Sequence, residues 1–343
     1  MKIAILTSGG DAPGMNACIR AAVRSALLSG VEVVGFHRGY QGLIEDDFEE
    51  LDHRSVSNII QSGGTFLQTD RCKHFGEKEY RLRAAEILRR HGAGGLIVIG
   101  GDGSFRGARD LSEDTGFPVV GIPGTIDNDL AYTEMTLGYE TAVQVCTEAI
   151  RAIRATSRSH DRPHVVECMG RHCGDVALKA ACATGSEIVV VPEVPWSVEE
   201  VASRLNKQIA KGNYRSTIVL AEGCWESMAP FDMYGFLTSH GKQCFEGEPM
   251  SAMRFASIMK RMCGMVEARS TVVGYTQRGA LPVAKDSAFA FEAGNLAVRL
   301  LRDGISNQVI GVRQGKVFNM PIADALKVEK HFRRDLYDLV NNL

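Results

Sequence analysis

Gly95-Leu96-Ile97-Val98-Ile99-Gly100-Gly101-Asp102-Gly103-Ser104 is an apolar run that ends in glycines and then turns polar. Apolar residues without alternation read as a strand buried on both faces, as in parallel sheets covered by helices. The glycines leave backbone N–H groups free to face an anion where a helix begins, at the positive end of its dipole. Asp102 sits inside this cradle, and a carboxylate set against a polyphosphate needs a cation between them, which points to Mg²⁺. The same residues would also suit a plain tight turn, with Asp102 capping the helix.

The pattern repeats outward from this stretch. Ile3-Leu6, Val31-Phe36, Pro118-Ile122, His164-Cys168, Ile188-Val191, Thr217-Ala221 and Thr271-Gly274 read as further buried strands. Between them, Asn16-Ser29, Lys78-His91, Ala142-Ser157, Val198-Lys211 and Lys285-Arg302 carry apolar residues at helical spacing. Strand and helix in alternation predict a parallel sheet with helices on both faces, whose ligands lie at the carboxyl ends of the strands. Residues 223–265 break the rhythm with Gly235, Gly241, Gly247 and Pro249, and read as a lid or an insertion.

Composition narrows the function classes. A chain of 343 residues, 45% hydrophobic and 23% charged, excludes a peptide hormone or zinc finger and can bury a core. With 39 Lys and Arg against 41 Asp and Glu, no overall basic field draws it to nucleic acid or an anionic membrane. Nine cysteines without a Cys-x-x-Cys pair argue against a disulfide framework and a structural zinc site, and for a reducing compartment. The first apolar run stops at Thr7, too soon for a signal peptide, and no apolar stretch could span a bilayer, so a soluble cytoplasmic protein is expected. Trp196 and Trp225 read as packing residues, and His160, His164 and His172 have no metal-ligand spacing.

Two further glycine turns follow strands. Thr7-Ser8-Gly9-Gly10-Asp11-Ala12-Pro13-Gly14 closes the first, and Gly121-Ile122-Pro123-Gly124-Thr125-Ile126-Asp127-Asn128-Asp129 places two carboxylates, an amide and a hydroxyl on one turn. Asx-turn chemistry accounts for Asp127 and Asn128 but leaves Thr125 and Asp129 over. A base for a hydroxyl proton and a second carboxylate for a metal are what phosphoryl transfer requires. Arg162, Arg171, Arg269 and Arg278 fall in loops after strands, where their planar forks suit phosphate.

In this order the motifs resemble those of the bacterial-type ATP-dependent 6-phosphofructokinases: the first turn extended to Met15-Asn16, then Gly63-Gly64-Thr65, Gly100 to Ser104, Pro123 to Asp129, Met169-Gly170-Arg171 and Gln277-Arg278-Gly279. The similarity runs from Met1 to about Ile322, apart from residues 223–265. It implies an α/β fold of two intertwined Rossmann-like lobes, each a mainly parallel sheet flanked by helices. Residues 1–138 with about 277–327 would form a larger nucleotide-binding lobe, and 139–276 with about 328–343 a smaller sugar-phosphate lobe with an insertion near 223–265. The implied activity is transfer from ATP to O1 of fructose 6-phosphate with Mg²⁺, by a homotetramer whose sugar-phosphate sites are shared between subunits.

On the same resemblance Asp127 is the base for the C1 hydroxyl, Asp102 and Asp129 serve Mg²⁺, Thr125 holds the transferring group, and Arg71 and Arg171 stabilise its charge. Gly10, Tyr40, Arg71, Cys72, Gly101, Asp102, Gly103, Ser104 and Gly107 would line the nucleotide. Met169, Gly170, Glu222 and Arg278 would hold the sugar phosphate with Thr125, Asp127, Asp129 and Arg171, while Arg162 and Arg269 reach in from a neighbouring subunit. Tyr275 stands where the family usually has a histidine, and cannot become cationic. Arg20 and Arg24, one helical turn apart, with Arg154, Glu187 and Lys211, match the effector site for ADP or phosphoenolpyruvate. Asn213, Tyr214 and His53 replace usual cations there, which predicts weak or altered allostery.

Gly103 and Gly124, read as open space beside the phosphates, favour ATP as donor. A pyrophosphate-dependent enzyme is the alternative, suggested by Tyr275. A nucleotide-sensing subunit without turnover is another, opposed by the intact Asp102, Asp127, Asp129 and Arg171.

Overall fold

The computed structural model describes residues 2–239, 249–265 and 267–343; Gly241, Gly247 and Cys244 lie outside them. In chain order the elements are β1 (Lys2–Ser8), α1 (Met15–Leu28), β2 (Glu32–Phe36), α2 (Gly39–Glu45), β3 (Phe48–Leu51), α3 (Lys78–Arg90), β4 (Ala93–Gly100), α4 (Asp102–Thr115) and β5 (Val119–Pro123). Then follow α5 (Tyr139–His160), β6 (His164–Cys168), α6 (Asp175–Thr184), β7 (Ile188–Val190), α7 (Val198–Ala210), β8 (Thr217–Ala221), α8 (Met233–Ser239), α9 (Ala252–Met262), β9 (Arg269–Val272) and α10 (Thr276–Gly279). The chain closes with α11 (Ala284–Arg302), β10 (Gln308–Arg313), β11 (Lys316–Pro321), α12 (Ile322–Ala325) and α13 (Arg334–Asn342). It divides into two compact units, one of residues 1–142 and 278–331, the other of 143–277 and 332–343.

The first unit holds a seven-stranded sheet in the order β11-β10-β5-β4-β1-β2-β3. Its five inner strands run parallel, and β3 and β11 close the edges antiparallel. Ile3, Ile5, Leu6, Leu96, Ile97, Val98, Ile99, Val119 and Val120 have no solvent exposure, which is why these strands are apolar without alternation. The order reverses at β1: β2 lies on one side and β4 on the other. A crevice therefore opens at the carboxyl ends of β1 and β4, where the two glycine turns are. Helices α1 and α11 cover one face in close approach, since a Cβ on Gly294 would stand 2.8 Å from the backbone of Cys18 and Ala22.

The second unit has a four-stranded parallel sheet, β7-β8-β6-β9. Trp196 and Trp225 pack with Phe255 of α9 in its core, as packing residues should, and the Trp196 indole donates to the Cys224 carbonyl. Helix α9 lies inside the stretch that the sequence left without assigned structure. Ser251 caps it by accepting the Arg254 N–H, and Phe255, Ile258 and Met259 are buried. Strand β9 begins two residues before its expected start because Arg269 pairs in register with His164, and Gly274, at φ +57°, turns the chain away. The eight cysteines among the described residues are free. No helix of the described residues is long and apolar enough to cross a membrane.

Helix α5 begins three residues before the amphipathic pattern because its cap comes from elsewhere in the chain. Asp286 of α11, fully buried, accepts the N–H groups of Gly138 and Thr141 and the Thr141 hydroxyl. Burial raises its carboxyl to about 6, against the lowering effect of those bonds. Replacing Asp286 by Ala leaves three buried donors without an acceptor and should cost about 2 kcal/mol in urea denaturation. The raised value favours the protonated acid in the folded chain. Its contribution is therefore complete near the unfolded value of about 4 and is lost as pH climbs through about 6. Over that window the unfolding free energy of the wild type should fall more steeply than that of Asp286→Asn.

Candidate active site

In the first unit the turns after β1, β4 and β5 meet. Gly101 precedes α4 in extended conformation, and the Ser104 hydroxyl, buried, donates to the Ser8 carbonyl at 3.0 Å, fastening the first turn of α4 to the end of β1. Gly100 has no room for a side chain, since a Cβ would lie 2.5 Å from both the Ser104 Oγ and the Ser8 carbonyl oxygen. Gly124 donates its N–H to the Gly100 carbonyl, which brings the third turn alongside. A Cβ on Gly101 would stand 3.7 Å from the Thr125 Cβ, so the helix start and the hydroxyl are neighbours.

Within the third turn the Thr125 hydroxyl accepts the Asp127 N–H at 3.2 Å, which leaves its own proton to donate. Asp127 is buried, Asp129 is exposed, and Asn128 between them adopts φ +53°. Thr136 donates to the Thr125 carbonyl, and Lys330 to that of Asn128. The Asp102 carboxylate is half exposed at the start of α4 and pairs with Arg106 one turn on, at 2.7 Å. Asp102 is thus braced along the helix rather than folded back as its cap.

Several expected nucleotide residues are bracing groups. Tyr40 is buried, stacks on Phe75 at 3.9 Å, and donates its hydroxyl to the Ser104 carbonyl at 2.7 Å. Burial pushes its phenol well above the ordinary value. Gly107 gives α4 room against the Tyr40 and Phe75 rings, 3.1–3.3 Å from its would-be Cβ. Cys72 packs half-buried on the same core, and Arg71 is exposed. Arg278 lies over the first turn: its Nη1 donates to the Asp11 carbonyl at 2.7 Å and would stand 2.7 Å from a Cβ on Gly10. Asn16 ties the 62–66 loop to α1 through Ser62, Gly63 and Phe66.

The two glycines read as open space differ. Nothing lies within 4 Å of a Cβ built on Gly103, but one on Gly124 would press on Ile99 and Met15, each at 2.9 Å. Gly124 therefore faces the core, because its N–H is turned to the β4 carbonyl, and only Gly103 has the room expected of both.

In the second unit the loops after β6 and β8 adjoin. The Arg171 N–H donates to Glu222 at 2.8 Å, with Arg171 itself at φ +53° and its side chain exposed. The Met169 N–H donates to the amide oxygen of Gln277, which is fully buried. Gly170 is held close to the Cys173 carbonyl, which accepts no side chain at that position without a shift. Arg162 and Arg269 both pair with Glu267, one on each carboxylate oxygen, and these arginines hold its carboxyl below the usual range. His164 bonds the Thr271 hydroxyl, and burial, with both arginines nearby, drops it to about 4, so it stays neutral. Tyr275 is exposed.

The residues assigned to an effector divide between the units. Arg20 and Arg24 are half-buried on α1 with their Nε atoms unsatisfied, and burial, with Arg24 beside it, lowers the Arg20 guanidinium. In the second unit Arg154 grips Glu187 with both arms at 2.9 and 3.2 Å, and Lys211 lines the adjoining cavity. Arg106, Gln277 and Glu267 had no assigned role. The signals available were an i,i+4 acid–base pair on α4 and an acid two residues from Arg269, both common on solvated surfaces.

A family model described as phosphofructokinase matches residues 2–301. An ATP-dependent 6-phosphofructokinase of Clostridioides difficile is 46% identical over 341 residues, 99% of this chain and 98% of that protein. ATP-dependent 6-phosphofructokinase 1 of Clostridium perfringens is 43% identical over 340 residues, 99% of this chain and 98% of that one. Among solved structures, phosphofructokinase from Saccharomyces cerevisiae superposes with a TM-score of 0.82 at 29% identity; the match covers 99% of this chain but half of the yeast chain, 50%.

The contrast between the two glycines sets opposite signs for one substitution. Gly103→Ala should raise stability by about 0.5 kcal/mol, since alanine favours the first turn of α4 and meets nothing. Gly124→Ala should lower it by about 1–2 kcal/mol through overpacking, both read from thermal denaturation.

Proposed function

The chain belongs to the phosphofructokinase family, and we infer that it transfers the γ-phosphoryl group of ATP to O1 of fructose 6-phosphate, giving fructose 1,6-bisphosphate and ADP. The observation that carries the chemical reading is the placement of Thr125 beside Gly101, where α4 begins, with buried Asp127 two residues on and bonded to the Thr125 hydroxyl through its N–H. An anion cradle and a carboxylate base on adjacent turns are what transfer from a polyphosphate to a hydroxyl requires.

In the proposed reaction the Asp127 carboxylate takes the C1 hydroxyl proton as the O1–phosphorus bond forms and the bond to the leaving ADP oxygen breaks. The Thr125 proton is directed to a phosphoryl oxygen, its lone pair being engaged by the Asp127 N–H. Gly10, Gly101, Gly103 and Ser104 offer backbone to the nucleotide phosphates, with Tyr40, Cys72 and Gly107 supporting that surface and Arg71 at its margin. Arg71 and Arg171 stabilise charge developing on the transferred group. Met169, Gly170, Glu222, Tyr275 and Arg278 serve the sugar phosphate, and Arg162 and Arg269 serve that of a neighbouring subunit in a homotetramer.

Among the described residues no cluster of three or more His, Cys, Asp or Glu could hold a metal by itself. Asp102 and Asp129 supply hard oxygen donors, and one or two carboxylates plus ligand phosphates suit Mg²⁺. When bound, the ion would neutralise phosphate charge. Asp102 is the anchor on this reading, with Arg106 as its counter-cation. Arg20, Arg24, Arg154, Glu187 and Lys211 are proposed to receive a phosphate-bearing effector, and the protein to work in the cytoplasm.

Three measurements test this reading. Asp127→Ala should lower kcat by about 10³-fold while nucleotide binding by calorimetry is kept; unchanged kcat removes Asp127 from the chemistry. Gly103→Asp should lower kcat/KM for ATP by about tenfold with the fold intact, because the added carboxylate enters open space beside phosphates. Phosphorus NMR of the wild type with fructose 6-phosphate and either ATP or pyrophosphate should show fructose 1,6-bisphosphate in the ATP sample alone.

A further inference from the structure

The turn that carries Asp127 is held on one side by its near neighbours and on the other by a residue from far along the chain. Before Asp127, the Thr125 hydroxyl accepts the Asp127 N–H at 3.2 Å, and the Thr136 hydroxyl donates to the Thr125 carbonyl at 2.6 Å. After Asp127, the carbonyl of Asn128 accepts a hydrogen bond from the Lys330 ammonium, 202 positions away. That carbonyl belongs to the peptide leading into Asp129.

Two features set this contact apart from that of an ordinary surface lysine. Lys330 lies in the irregular segment between α12 and α13, where Lys327, Val328, Glu329 and His331 are all exposed, yet Lys330 turns inward and is half-buried. An ammonium that gives up water needs a strong acceptor in exchange, and here it meets a carbonyl with a carboxylate-bearing residue on either side. The acceptor is the second feature. Asn128 is buried and adopts φ +53°, a left-handed conformation that a residue other than glycine keeps only where its surroundings fix it. Released from the Lys330 bond, Asn128 can relax toward the commoner regions, and the carboxylates of Asp127 and Asp129 turn with the backbone.

We propose that Lys330 is a positioning residue for phosphoryl transfer: its bond to the Asn128 carbonyl locks the left-handed turn and thereby fixes the direction of the Asp127 carboxylate. The proposal rests on the assignment of Asp127 as the base for the sugar hydroxyl. Lys330 acts through the backbone, because its ammonium is engaged by the turn itself. Its loss should therefore fall on the step in which the base must be aligned with the hydroxyl, and spare the capture of nucleotide by the glycine turns.

Steady-state kinetics with ATP and fructose 6-phosphate, on variants whose folding is checked by circular dichroism, test this. Lys330→Ala should lower kcat by about 10- to 100-fold. Its KM for ATP, and its nucleotide Kd by calorimetry, should stay within about twofold of wild type. Propylammonium replaces the atoms removed, and should raise the kcat of Lys330→Ala saturably by at least about fivefold while leaving the wild type unchanged. Tetramethylammonium, a cation without an N–H, should not. Lys330→Arg, which can donate to the same carbonyl, should keep about a fifth or more of the wild-type kcat. Where Lys330→Ala does not fold, Lys330→Met, which keeps the apolar stem and lacks the donor, is held to the same kcat and KM figures. A kcat within about twofold of wild type, a loss that falls on the KM for ATP instead, or a loss in folded Lys330→Ala that propylammonium does not relieve would each overturn the proposal and leave the assigned activity standing. A wild type without turnover would overturn both.

Discussion

One buried hydrogen bond, from the Ser104 hydroxyl to the Ser8 carbonyl, ties the first turn of α4 to the end of β1 where the sheet order reverses. The crevice depends on this junction. If the two parted, the glycine turn after β1 and the start of α4 would no longer adjoin. Tyr40 braces the same residue from the other side by donating to the Ser104 carbonyl, and the Gly124 N–H brings the Asp127 turn against Gly100. Backbone groups positioned this way need no reorganisation when charge arrives, which is the condition under which they stabilise it best.

Charged groups in each unit are held by local partners. Asp102 is satisfied by Arg106, Arg162 and Arg269 share Glu267, and Arg154 is closed on Glu187. Such pairs form at modest cost, since exposed pairs are worth little and exchange readily for a stronger anion or cation. Arg20 and Arg24 differ, because their Nε groups are buried without acceptors and keep a standing demand for one.

Much of the architecture was legible because parallel strands buried on both faces must be apolar, and glycine turns after them have few other uses. Ile3 to Leu6, His164 to Cys168 and Thr217 to Ala221 fall inside or on the observed strands. What escaped was whatever depends on residues distant in sequence. Helix α5 starts early because Asp286, some 145 positions away, caps it. Helix α9 sits in a stretch whose glycines and prolines masked an ordinary Ser251 cap. At the site, the motif residues were legible but their packing was not: the Tyr40 and Ser104 hydroxyls each donate to a backbone carbonyl, and a Cβ on Gly124 would press on Ile99. A glycine in a motif states that a side chain is unwelcome without saying whether core or ligand excludes it.

That distinction has a consequence for how such a cradle can diverge. Gly100 is walled in by Ser8 and Ser104, and Gly124 by Ile99 and Met15, so a change at either must be accompanied by changes in the neighbours. Gly103 faces open space, with no neighbour to constrain it. Of these three positions it is the one at which a lineage can gain a side chain by a single step, leaving the surrounding architecture to be inherited unchanged.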